Sequence, residues 1–138
     1  MNHRKILIVS LLVIIVLSNV WFVFSLPPTK ATVEKFLKEN SCSLSSIETD
    51  YVSEYYCAAY LRRHTTLLGG QIISVPKFTF LFVFTPFHCF NYIDPTTFDN
   101  HVYVFVITRD EGILVYNPVN GEYVGRYDDL LQNMKNIS

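Results

Sequence analysis

The sequence predicts an α+β protein: an N-terminal transmembrane helix, then a small domain with one or two helices packed on an antiparallel sheet of about four to five strands. Three observations carry the prediction. An uncharged apolar run opens the chain, helical spacing follows it, and two-residue alternation punctuated by turn residues fills the second half.

The apolar run is Ile6 to Leu26 (ILIVSLLVIIVLSNVWFVFSL). As a helix at about 1.5 Å per residue it is roughly 30 Å long, the thickness of a bilayer core. In lipid such a run satisfies its backbone hydrogen bonds only as a helix. Trp21 stands near its outer end, where amphipathic rings favour the interface, and Pro27-Pro28 stops the helix. Arg4 and Lys5 precede the run and no basic cluster follows it at once. The positive-inside rule then keeps the N-terminus cytoplasmic and exports the rest. The rival reading is a signal peptide cut after Val23-Phe24-Ser25, which yields a secreted domain. Its apolar stretch is ordinarily about 7–15 residues, shorter than the run here. The expected organisation is an anchor over residues 1–26, a linker over 27–31, and one extracytoplasmic domain over 32–138.

Thr32 to Asn40 places Val33, Phe36 and Leu37 on one side at helical spacing, with Glu34 and Lys38 paired outside. Ser45 and Glu48 form a capping-box pattern. From Ile47 to Arg63, Tyr51, Tyr55, Ala58 and Ala59 recur at helical spacing, which predicts a second helix; a strand over 50–60 is the alternative, because Tyr and Val favour sheets. Gly69-Gly70 breaks the chain. Gln71 to Val75 and Lys77 to Thr85 read as strands, the second with Phe78, Phe80, Phe82 and Phe84 on one face. Asp94 to Asn100 is a loop by composition. Residues 101–127 read as a three-stranded meander: Val102, Val104 and Val106 alternate with Tyr103, Phe105 and Ile107, and Asn120-Gly121 marks a hairpin turn. Asp128 or Asp129 caps a last helix, Leu130 to Lys135. The hairpin GILVYNPVNGEYVG is similar to the closing hairpin of small secreted α+β domains such as PepSY; the likeness is carried by turn chemistry common to many hairpins, and it brings no site residue with it.

Without residues 1–26, nine basic and twelve acidic residues remain, a formal charge of −3. A mildly acidic domain with no basic stripe excludes nucleic acid as an expected partner, because phosphate contacts need clustered Lys and Arg. The three cysteines, Cys42, Cys57 and Cys89, form no C-x-x-C motif. In an oxidising compartment Cys42 and Cys57 are the pair expected to bond; the alternative is three free thiols buried in the core.

Catalytic chemistry has thin support. A Cys89 nucleophile needs a basic neighbour, which His101 or His64 would supply, with Asp99, Asp94 or Asn100 orienting it. A metal site would draw on His64, His88, Cys89 and His101, but adjacent His88-Cys89 is the wrong spacing for two ligands on one strand face. Asp94, Asp99, Asp110 and Glu111 are loop acids from which a paired-carboxylate site can be drawn; loops carry acids for solubility and turns. No phosphate loop follows Gly69-Gly70. Asn136-Ile137-Ser138 matches a glycosylation triplet at the chain end. No motif calls for a cofactor or a metal.

Aromatic density is the remaining feature, with nine Tyr and eleven Phe. The bland reading places them in the core. The functional reading is an exposed patch in the segment Pro86 to Tyr92, with Phe87, Phe90 and Tyr92 as binding residues. The expected function is a non-catalytic, membrane-anchored, extracytoplasmic interaction module or accessory subunit, its partners a membrane and a protein. The alternative is a small exported cysteine hydrolase using Cys89 with His101.

Overall fold

The computed structural model describes residues 2–40, 42, 51–76 and 83–136. The elements run α1 (His3–Ser25), α2 (Lys30–Glu39), α3 (Tyr51–His64), β1 (Thr65–Leu68), β2 (Gln71–Ser74), β3 (His88–Ile93), β4 (Asn100–Thr108), β5 (Gly112–Tyr116), β6 (Tyr123–Arg126) and α4 (Tyr127–Lys135). The architecture is α+β. β1 and β2 form a two-stranded hairpin, and the larger antiparallel sheet has the order β3-β4-β5-β6.

α1 is long and apolar enough to cross a membrane, and none of its residues is buried. Its end is fastened to the domain. Pro27 and Pro28 have no N–H, so the carbonyls of Val23 and Phe24 lose their helical donors. The Gly69 amide donates to the Val23 oxygen at 2.7 Å. Phe84 lays its ring against Trp21 and Phe24, each at a centroid distance of 5.3 Å. The 27–31 linker is held rather than free. Pro28 is buried, its carbonyl accepts from the Arg109 amide at 3.0 Å, and the Lys30 amide donates to Asp110 Oδ1 at 3.0 Å.

α2 is capped by Thr29, whose hydroxyl accepts from the Thr32 amide at 3.2 Å, and it buries Val33, Phe36 and Leu37. Tyr51–His64 is helix, not strand; the expected capping box and the start at Ile47 lie outside the described residues. Cys42 and Cys57 are joined by a disulfide with Cα atoms 5.9 Å apart. The 15-residue separation removes about 3 kcal/mol of chain freedom from the unfolded state on the loop-entropy model.

The helices cover both faces of the large sheet. Val102, Val104 and Val106 of β4 pack with α2, Ala58 and Leu61 of α3, and Phe87. Tyr103 and Phe105, of opposite parity, pack with Phe90, Tyr92 and α4 through Leu130, Leu131 and Met134. The β5–β6 turn closes against α2: Gly121 has φ +74, and a Cβ there would meet Leu37 Cβ at 3.1 Å.

Three expectations change. Of the strand expected over Lys77–Thr85, residues 77–82 lie outside the described residues, and Val83–Phe84 form a short 3₁₀ turn because Phe84 is drawn onto α1. The segment from Pro86 to Tyr92, expected as an exposed patch, contains a strand, β3. α4 begins at Tyr127, so Asp128 and Asp129 stand in its first turn, where carboxylates oppose the positive helix end, instead of capping it.

Phe87 is fully buried, so Phe87→Ala is expected to cost about 3–5 kcal/mol in a denaturant melt. A melt matching the parent's would move Phe87 to the surface. Reducing Cys42–Cys57 is expected to lower stability by about 3 kcal/mol, measured by the same melt with and without reductant; an unchanged midpoint would overturn that assignment.

Candidate functional site: the groove between helix α3 and the β3 edge

β3 is the edge of the large sheet, and its register shows which backbone groups are free. His88, Phe90 and Tyr92 lie opposite Phe105, Tyr103 and His101. The Asp94 amide donates to the Asp99 oxygen at 3.0 Å, which fixes the even-numbered residues as those bonded to β4. Cys89, Asn91 and Ile93 therefore aim their N–H and C=O groups away from β4. The Ile93 amide is taken by the Met134 sulfur at 3.5 Å. Among the described residues nothing pairs with the outward backbone of Cys89 or Asn91, and both residues are exposed.

α3 runs beside this edge. Tyr51, Tyr55, Ala59, Arg62 and Arg63 form a stripe at three- and four-residue spacing. With Cys89, Asn91 and Val102 they line an open cleft of about 450 Å³. A second cleft of about 660 Å³ adjoins it, sharing Tyr51 and Asn91 and reaching His101, Asp99 and Met134. Tyr51 and Tyr55 are each about half exposed, as are Tyr56 and Tyr60. At this groove the exposed aromatic rings are thus those of α3. Phe87, Phe90 and Tyr92, expected to form an exposed patch, are buried at 0%, 6% and 7% exposure. Phe87 points into the α2–α3 core and the other two into the α4 core.

α3 is set in place by a charge. Glu54 is fully buried, and His101 Nδ1 lies 3.1 and 3.3 Å from its two carboxylate oxygens. A buried carboxylate is tolerated when it is paired in this way. The His101 ring stacks on Tyr103 at 5.0 Å and 10°. Burial first, then the Glu54 charge, pushes the Tyr103 hydroxyl up to about 12. His88 stacks on Phe105, and its pKa is lowered by burial and then by Arg62.

The catalytic arrangement drawn from the sequence is not assembled. Cys89 lies opposite Val104 and His101 opposite Tyr92. Alternation sends their side chains to opposite faces, three residues or about 10 Å apart along the strand. His101 is paired with Glu54, and no bond joins it to Asp99 among the described residues. The loop acids have local tasks. Asp94 Oδ1 accepts from the Thr96 hydroxyl at 2.6 Å and its amide at 2.8 Å, which lowers the Asp94 pKa; Asp110 binds the Lys30 amide, and Glu111 faces Arg126 at 3.9 Å. Among the described residues no group of three or more His, Cys, Asp or Glu is placed to hold a metal. The groove presents, among the described residues, unpaired backbone donors and acceptors on one side and tyrosine rings with two guanidinium groups on the other.

An unfolded tyrosine ionises near pH ~10, whereas Tyr103 in the fold ionises near about 12. The stability this group contributes is complete below the unfolded value and is lost as pH rises through the folded one. Tyr103→Phe is therefore expected to reduce the alkaline loss of stability, read from denaturant midpoints across that range. Parallel pH profiles for parent and variant would show that Tyr103 carries no such linkage.

Compared with known proteins, the chain matches no family model, no curated protein and no solved structure.

Proposed function

We propose that this protein is a single-pass, membrane-anchored interaction module, without catalysis of its own, whose exported domain takes an extended segment of a partner protein as an added strand on β3. The carrying observation is the free outer edge of β3 facing the α3 stripe. Strand addition uses main-chain bonds for affinity and pockets beside the edge for selectivity. The outward groups of Cys89 and Asn91 supply the first. Tyr51, Tyr55, Arg62 and Arg63 supply the second, and the two guanidinium groups favour a segment with an acidic residue at that end.

Attachment rests on α1, whose 23 residues amount to roughly 34 Å at about 1.5 Å per residue, enough for a bilayer core. Export is supported by Arg4 and Lys5 before the run and by the Cys42–Cys57 disulfide, a bond that persists outside reducing compartments.

Asn91→Pro provides a clean test. Proline is accommodated on an edge strand where the N–H faces outward, so the change removes a free donor without touching the β3–β4 ladder. Peptides selected from a displayed library against the wild-type domain are expected to carry an acidic residue. They should lose binding to Asn91→Pro and to Arg62→Glu while both variants keep the parent's melting profile. Selected peptides that bind Asn91→Pro undiminished would sink the strand-addition reading.

A further inference from the structure

We infer that the domain is itself seated in the membrane interface, through the β1–β2 turn at Leu68-Gly69 and the Val83–Phe84 turn, with lipid as the partner of that surface. The inference rests on the reading of α1 as a membrane span. It concerns what the span does to the domain above it.

Depth follows from the helix. Lys5 is the last charge before the apolar run. From Lys5 to Val23 the helix rises about 27 Å at ~1.5 Å per residue, and the hydrocarbon core is about 30 Å thick. With Lys5 at the inner boundary, Val23 stands at the outer one, and tilt only sets it deeper. Trp21, two residues earlier, has the ring type that settles at headgroup level, which gives the same depth independently. Whatever touches Trp21, Val23 and Phe24 directly shares that level. The Gly69 amide is 2.7 Å from the Val23 carbonyl, and Phe84 packs on Trp21 and Phe24.

The neighbours of those contacts have the character of an interfacial surface. Leu68 is 40% exposed and Val83 61%, beside Trp21 and Phe22 at 63% and 62%. A cation stands close above them: Arg109 Nη1 and a Leu26 methyl each lie 3.5 Å from where a Cβ on Gly70 would be. Apolar side chains below and a guanidinium above match the layering of acyl chain and headgroup phosphate. The Gly69 bond belongs to this picture, because a carbonyl left without a donor at that depth is costly. The β3–β4 loop is separated from the β4–β5 turn, whose Arg109 amide bonds the Pro28 carbonyl, by the length of β4, roughly 27 Å at ~3.3 Å per residue.

The test uses the full chain in phosphatidylcholine vesicles containing lipids with a quencher high on the acyl chain. In a Cys89→Ser background, Leu68→Cys, Val83→Cys and Thr97→Cys are each labelled with a polarity-sensitive fluorophore. All three positions are exposed, so the fold is undisturbed. Trp21, the single tryptophan, reports the anchor within the same sample. The expected result is blue-shifted emission and loss of signal to the quencher at 68 and 83, loss at Trp21, and neither change at 97. Quenching at Trp21 with water-like emission at 68 and 83 would overturn the seated domain and leave the span standing. No quenching at Trp21 would overturn both.

Discussion

β4 buries Val102, Val104 and Val106 on one side and Tyr103 on the other, with Phe105 packed beside Tyr103, so no single helical layer can cover it. That constraint organises the rest of the fold. One apolar face requires α2 and α3, and the other requires the amphipathic α4 that closes the chain. β4 is also the strand on which both neighbours depend: β3 pairs with it over its first part and β5 over its last. With both faces covered, the sheet meets solvent chiefly at its edges.

Edges are where sheet proteins protect themselves, with lysine, proline, bulges or covering segments. The outward positions of β3 are Cys89, Asn91 and Ile93, and its register with β4 is unbroken over six pairs. No charged side chain, proline or bulge blunts it. Among the described residues only Ile93 is engaged, through the Met134 sulfur at 3.5 Å. The charges nearby, Arg62 and Arg63, come from α3 and line the cleft. In the proposed strand addition they bear on what enters the cleft rather than on self-pairing. On the proposed reading, the segment around Phe90 acts through its backbone rather than its rings, which are buried.

Much of this was legible in the residues. The uncharged run, the spacing of Val33, Phe36 and Leu37, and the Asn-Gly turn are local signals, and local physics governs them. β3 was legible too: Phe90 and Tyr92 alternate with Cys89, Asn91 and Ile93, but the aromatic density of the stretch reads equally as an exposed patch. The alternation of Val102–Val106 with Tyr103–Ile107 marks a strand, and its apolar character on both sides is the sign of a doubly covered sheet. The Glu54–His101 pair spans 47 residues, and nothing in local composition marks it. Glu54 looked like an ordinary polar helix position and His101 like a base for Cys89, because pairing across a fold is a tertiary property. β1 fell between a helix end and a glycine pair, and only its hairpin with β2 defines it.

The wall of the groove is held at separated points along its length. Near its start, Glu54 is gripped by His101, and Cys57 is cross-linked to Cys42. Midway, Ala58 and Leu61 sit in the α2–β4 core. At its end, the Thr65 hydroxyl donates to the Leu61 carbonyl, and His64 Nδ1 meets the Val75 oxygen at 3.2 Å. Opposite, β3 is fixed to β4 along its full length. A groove whose two sides are already ordered asks little further ordering of the protein when an extended chain enters, so most of the entropy lost on binding is the ligand's own. On the proposed reading, selectivity depends on the exposed groups Tyr51, Tyr55, Arg62 and Arg63, and these all belong to the one helix that Glu54, Cys57 and Leu61 hold in position.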